Sequence, residues 1–170
     1  FLRGSTFYED FVKTVCTINT NWASTRRMVT SLVKLLGKGA FPTPVEVIQF
    51  GEKSLRNEIR LGFRARVISE LTLSLLDNKV VDTQGVLIDF DLGFQDLIKL
   101  RGIGEYSAAH IMMLCHDFSR VPVDSGVIRY CKDRYGIDPA AIQTFFEAWG
   151  DYRFLGFRLR QIANQRVVGP

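Results

Sequence analysis

No apolar run in the chain approaches the roughly 20 residues that span a bilayer; among the longest is Ile111 to Cys115. No charged-then-apolar leader opens the sequence, so the expectation is a soluble, intracellular protein with no membrane partner. Cysteine is sparse: Cys16, Cys115 and Cys131 show none of the close pairing that zinc or an iron–sulfur cluster needs. Each lies in an apolar helical pattern and reads as a reduced core residue. Sustained period-two alternation is scarce, which argues against strands, and no internal repeat or low-complexity tract interrupts the chain. The net charge of +4 is mild; it admits nucleic acid as a partner without requiring one.

What is present is helical periodicity. Met28, Val29, Leu32, Val33 and Leu36 recur at helical spacing, as do Val67, Ile68, Leu71 and Leu75, and Ile142, Phe145, Phe146 and Trp149. The punctuation agrees: Thr43-Pro44-Val45-Glu46 is a capping box with proline at the first helical position, Gly37 closes the helix before it, and Asp138-Pro139 opens another. With 46% hydrophobic side chains, 170 residues suffice for one domain, or two small lobes, around a real core. The expected fold is all-α, with roughly ten short helices and a long connection from Leu76 to Phe90.

Chemistry concentrates in two adjoining segments. Leu97 to Ala108 passes from one helical pattern through Gly102-Ile103-Gly104 into another. Glycines let the backbone turn tightly and approach a ligand, while a helix starting near Gly104 offers unpaired N–H groups and a positive dipole end, a combination suited to gripping a phosphate. A plain αα-hairpin has the same outline. Beyond it, Val121-Pro122-Val123-Asp124 leads into the apolar run containing Val127 and Ile128. Asp124 suits a helix N-cap, and that role is compatible with catalysis, because helix N–H groups keep a carboxylate ionised.

Together, Leu-x-Gly-Ile-Gly-x-Tyr-x-Ala from Leu100 and Pro-Val-Asp at 122–124 resemble the signature of the helix-hairpin-helix DNA glycosylases. That superfamily includes endonuclease III, the adenine-mismatch glycosylases, 3-methyladenine glycosylase II and 8-oxoguanine glycosylase, and the last two branches are the nearest in pattern. The resemblance implies a two-lobed, all-α fold, one lobe formed by residues 1–21 plus 122–170 and the other by 22–121, with the hairpin at 93–116. It also implies a monomeric, DNA-associated enzyme that flips a damaged or mispaired base from duplex DNA and cuts its N-glycosidic bond.

The resemblance assigns roles residue by residue. Asp124 falls on the essential carboxylate. Tyr106 stands where backbone-cutting members carry a Schiff-base lysine, and a phenol cannot form that adduct, so a monofunctional enzyme is implied. Gly102, Gly104 and Ser107 would give backbone amides to phosphate. Asn19 would fill the gap left by the flipped nucleotide, although capping of the next helix suits it equally. Phe63 and Arg64, in Leu61-Gly62-Phe63-Arg64, would intercalate and bond a base edge or phosphate; a buried Phe63 with a solvated Arg64 is the alternative. The family's arginine for the opposite cytosine is matched by Ser24, which leaves opposite-base recognition open. Trp149 to Arg153 opens the last helix as in the alkylation and 8-oxoguanine branches, and Phe157, Gln161 and His110 would line the base pocket, ordinary packing being as consistent with each. Main-chain carbonyls of Ile98, Leu100 and Ile103 would hold a K or Na ion; no iron–sulfur cluster and no other cofactor is implied. The substrate stays open among 8-oxoguanine, alkylated purines and mismatched bases. A non-catalytic DNA-binding module and a bifunctional glycosylase/lyase remain as alternatives.

Overall fold

The computed structural model describes residues 3–89 and 91–166, with side chains as far as residue 164; Phe90, the expected end of the long connection, lies outside the described residues. The described residues are helical apart from turns, loops and two isolated bridges, so the expected all-α class is observed. The chain divides into two compact units, Phe1–Ile103 and Gly104–Pro170. This boundary falls inside the glycine-bracketed turn, whereas the expected lobes divided the chain at residues 21 and 121.

The first unit contains α1 (Phe7–Thr17), α2 (Trp22–Ser31), α3 (Pro44–Asn57), α4 (Arg64–Asp77) and α5 (Phe94–Lys99). Short polar caps start α1, α2 and α3 as the sequence dictates. Thr6 accepts from the Glu9 amide, Asn21 from the Ser24 amide, and Thr43 forms a reciprocal capping box with Glu46 behind Pro44. A π-helical turn, Leu32–Leu36, prolongs α2 and ends at Gly37, as expected for that glycine. Helix α3 breaks at Gly51, whose φ of 79° takes it out of the helical region. Helices α3 and α4 share the largest contact, and α1 packs on α2 and α4. Tyr8, Phe11, Leu32, Leu55, Leu61, Ile68 and Leu75 are fully enclosed in this core. Inside it the Tyr8 hydroxyl and Thr72 Oγ1 are 2.6 Å apart, and burial pushes the phenol pKa up. Burial likewise pushes the Cys16 thiol to about 12, so it is a packing group and not a nucleophile at neutral pH.

The long connection after α4 is tied down at one point. Gly85 accepts a hydrogen bond from the Tyr8 amide at 3.1 Å, has φ 84°, and a Cβ there would stand 2.6 Å from Tyr8 Cβ. Gly85→Ala therefore combines left-handed strain with overpacking against the start of α1. The expected loss is about 2 to 4 kcal/mol of unfolding free energy, read as a lower urea midpoint; an unchanged midpoint would show that this contact does not hold the connection.

The second unit contains α6 (Glu105–Leu114), α7 (Ser125–Tyr135), α8 (Ile142–Phe145) and α9 (Arg153–Arg166). Asp138-Pro139 opens a 3-10 turn, Pro139–Ala141, that leads into α8, and a second such turn, Glu147–Tyr152, precedes α9. Its core gathers Met113, Val121, Cys131, Ile142, Phe146, Phe154 and Phe157. Phe157 meets Phe146 and Tyr130 edge to face, at centroid separations of 5.7 Å in both cases. Trp149 lies against Gly156, where a Cβ would come within 2.3 Å of the indole, so the glycine makes room for that ring.

Candidate active-site carboxylate and nucleic-acid interface

Asp124 caps α7. Its backbone is extended, with φ −107° and ψ 179°, and Oδ1 accepts from the Val127 amide at 2.7 Å. The side chain is exposed and forms no ion pair among the described residues. One carboxylate oxygen is thus held by the helix end, while the residue itself stays exposed to solvent. Gly126 keeps the space beside the carboxylate clear: a Cβ there would lie 3.2 Å from Asp124 Oδ1. The approach to Asp124 is fixed from a distant element. The Gln143 side-chain amide accepts from the Val121 amide at 3.1 Å and donates to the Val121 carbonyl at 2.7 Å, a two-bond clasp on the extended segment. Sequence reasoning missed Gln143 because a single glutamine in a short helix carries no signal of its tertiary partner.

In the glycine-bracketed turn only Gly102 needs to be glycine for its backbone. Its φ is 90°, and a Cβ would meet Val67 Cγ1 of α4 at 2.8 Å. Gly104 is extended, φ −97°, and a Cβ there would meet nothing within 4 Å; its bareness leaves the start of α6 uncovered. The Leu100 carbonyl accepts from the Ile103 amide at 3.0 Å, closing the turn. The first i→i−4 bond of α6 runs from Ala108 to Gly104, so the amides of Glu105, Tyr106 and Ser107 precede the helical ladder. Ser107 is 3% exposed, because the face of α6 that carries it and Ala108, Ile111 and Leu114 turns inward; the contact expected of it was through its backbone amide, which precedes the helical ladder. Tyr106 and His110 share another face, both half-buried, with ring centroids 5.7 Å apart.

In the first unit Asn19, Phe63 and Arg64 are brought together. Asn19 occupies the turn between α1 and α2 with φ 48°, a conformation asparagine tolerates better than most residues. It does not cap α2; Asn21 does, which leaves the exposed Asn19 side chain uncommitted. Phe63, just before α4, is 51% exposed. Arg64 is not the solvated, DNA-reaching side chain that the sequence suggested. It is 7% exposed, and Nη2 donates to the Ile18 carbonyl and, at 3.3 Å, to that of Asn19. Its guanidinium also lies 4.5 Å from the Phe63 ring centroid. Burial lowers its pKa from the usual arginine value. Arg64 therefore fastens the Asn19 turn to the Phe63 turn, since the α1 C-terminal carbonyls need a donor that α1 cannot supply.

Of the two readings open for Phe157, a base pocket or ordinary packing, its surroundings match packing: it is 2% exposed in the core of the second unit, against Tyr130, Phe146 and Phe154. Gln161, one turn further along α9, is half-buried and accepts from Arg158.

A groove of about 1130 Å³ lies between α2 and the α3–α4 turn, lined by Arg26, Arg27, Lys34 and Arg60. The sequence carried a signal for it: residues 11–45 contain no Asp or Glu, and Arg26, Thr30 and Lys34 recur every fourth position on one helix face. Among the described residues no group of three His, Cys, Asp or Glu forms a metal site, and no helix is long and apolar enough to cross a membrane.

No protein-family model matches the chain, and no curated protein matches its sequence. Solved DNA glycosylases match its structure. An 8-oxoguanine glycosylase/lyase of Clostridium acetobutylicum, in complex with double-stranded DNA containing cytosine opposite 8-oxoguanine, superposes with a TM-score of 0.73 at 20% identity, over 94% of this chain and 61% of that one. The 3-methyladenine DNA-glycosylase from Archaeoglobus fulgidus gives a TM-score of 0.69 at 19% identity, over 92% and 58%. The chain thus spans about three-fifths of the length of these proteins. The fold is the one these helix-hairpin-helix glycosylases share, as the sequence led us to expect.

Proposed function

We propose that this chain is a monofunctional DNA N-glycosylase that removes a damaged or mispaired base from duplex DNA. The observation that carries the reading is Asp124: an exposed carboxylate, held by one oxygen at a helix N-terminus, in a fold shared with solved DNA glycosylases. As the C1′–N bond breaks, the base leaves with the bonding pair and positive charge builds on the sugar. The carboxylate stabilises that charge, and its oxygen accepts a proton from the water that adds to C1′. That proton ends on the departing base, so the products are the neutral free base and an abasic sugar, and the carboxylate is restored. Tyr106, at the second position of α6, has no amine to form a Schiff base, which makes hydrolysis the whole reaction.

The remaining parts divide by task. The open amides around Gly102 and Gly104 take a phosphate. Asn19 fills the space vacated by the flipped nucleotide, and Phe63 replaces lost stacking, both held by Arg64. His110 and Gln161 contact the extruded base. The carbonyls of Ile98, Leu100 and Ile103 are hard oxygen donors of the kind a K or Na ion takes, and that ion would brace the turn electrostatically. The protein works as a monomer on 8-oxoguanine, an alkylated purine or a mismatched base.

The test uses duplexes carrying each lesion class. Strand cuts should appear only after hot alkali, and borohydride should trap no protein–DNA adduct. Tight DNA binding without any cut on the whole panel would make the protein a binding module, and a borohydride adduct would overturn the role given to Tyr106.

A further inference from the structure

Four exposed cations line the α2 groove, Arg26, Arg27, Lys34 and Arg60, with the buried Arg64 as a fifth and Glu58 as the one acidic residue beside them. None of the four forms an ion pair among the described residues, although six other cations of the chain do. Surface cations in a mixed-charge protein commonly find an acidic neighbour within reach; here the sequence supplies none from residue 11 to 45. Arg27 is oriented by Nη2 donating to Ser24 Oγ at 2.9 Å, and Thr20, Thr30 and Ser31 add hydroxyl donors between the charges. Arg60 is presented from the α3–α4 turn by a left-handed backbone, φ 64°. A groove of about 1130 Å³ is far too large for one anion, and its cations are spread over two elements. Of the residues that line it, Ala23, Met28 and Ile59 have apolar side chains, and the others are polar or charged.

We infer that this groove is a second phosphate-binding track, which takes a stretch of DNA sugar–phosphate backbone and supplies much of the protein's affinity for duplex. It rests on the proposed action on DNA and deepens it: several spaced cations with hydroxyls between them match a strand carrying one charge per nucleotide. The Asn19 and Arg64 side of the same unit adjoins the groove, through Thr20 and Arg64 in its lining. Backbone contacts of this kind carry no sequence information; they hold the duplex while the other parts act on a base.

The experiment measures the affinity of a fluorescent 25-base-pair duplex across a salt series. In Arg26→Gln/Lys34→Gln/Arg60→Asn, the asparagine chosen because it tolerates the left-handed backbone, log–log salt slope should fall by about 2 to 3 and affinity about 10- to 100-fold near 0.1 M salt. All three side chains are exposed, so the melting temperature should hold; the single variants Arg26→Gln and Lys34→Gln, each losing about 0.9 in slope, give the same answer if the triple variant folds poorly. A charge-matched variant, Lys53→Gln/Lys79→Gln/Lys132→Gln, should bind like wild type. Unchanged slope in the groove variants overturns the inference, as does an equal loss in the charge-matched one, or binding to vesicles of phosphatidylserine and phosphatidylcholine in place of duplex. Base excision by the wild type is scored separately. Excision together with groove-independent affinity sinks the track and leaves the glycosylase reading intact; a groove-dependent slope with no excision on the lesion panel does the reverse.

Discussion

Asp124→Asn should lower single-turnover base excision by at least about 10³-fold and leave the melting temperature nearly unchanged. The two readouts separate because the residue does two things that asparagine divides. As a cap, Asp124 accepts from the Val127 amide through one oxygen, and an asparagine oxygen accepts that bond about as well. As a charge, on the proposed reading, it opposes the cation that develops on the sugar, and a neutral amide cannot do so or take a proton from water. The fixed position strengthens the contrast. Gln143 clasps the segment that delivers the residue, and Gly126 leaves no atom crowding the oxygen. A variant that melts like wild type and still excises would remove Asp124 from the chemistry; one that unfolds would point to Asp124→Ser, another competent cap, as the replacement to measure.

Arg64→Met should cost about 2 to 3 kcal/mol of stability, a melting-temperature drop of roughly 4 to 12 °C. Methionine fills much of the space of the aliphatic stem, so cavity formation is a minor part. What is lost is the charged donor to the Ile18 and Asn19 carbonyls and the contact under the Phe63 ring. A partial offset comes from Nε, which is buried without a hydrogen-bond partner among the described residues and disappears in the variant. Duplex binding should weaken as well, because two exposed groups assigned to DNA, Asn19 and Phe63, lose their common fastening. Stability at the wild-type value with affinity alone reduced would return Arg64 to a direct contact with DNA.

These two residues also mark where sequence was readable. Caps and stops were legible, since Thr43 with Glu46, Gly37 and Asp138 act through neighbours a few residues away. The turn at Gly102 and the N-cap position of Asp124 were legible for the same reason, and so was the shared glycosylase fold, whose signature is contiguous. Arg64, Ser107 and Phe157 were not. Arg64 is amphipathic, Ser107 is small, and a phenylalanine such as Phe157 serves equally in a core or against a flat ligand, so which side each takes depends on partners such as Ile18, 46 residues earlier, or Phe146. The break at Gly51 was hidden because a glycine inside a periodic run is equally consistent with a straight helix. The basic groove needed the fold to bring Arg60 beside α2, though the acid-free stretch preceding it was open to view.

The Gln143 clasp bears on how the protein comes into being. Val121 and Gln143 are 22 residues apart, so the glycine turn, Asp124 and the whole of α7 are synthesised before the side chain that secures Val121. Throughout that interval the acid is present but unregistered. A truncation ending at Tyr135 would carry every element of the recognisable signature and yet leave Val121 without its clasp, so on the proposed reading it should excise no base.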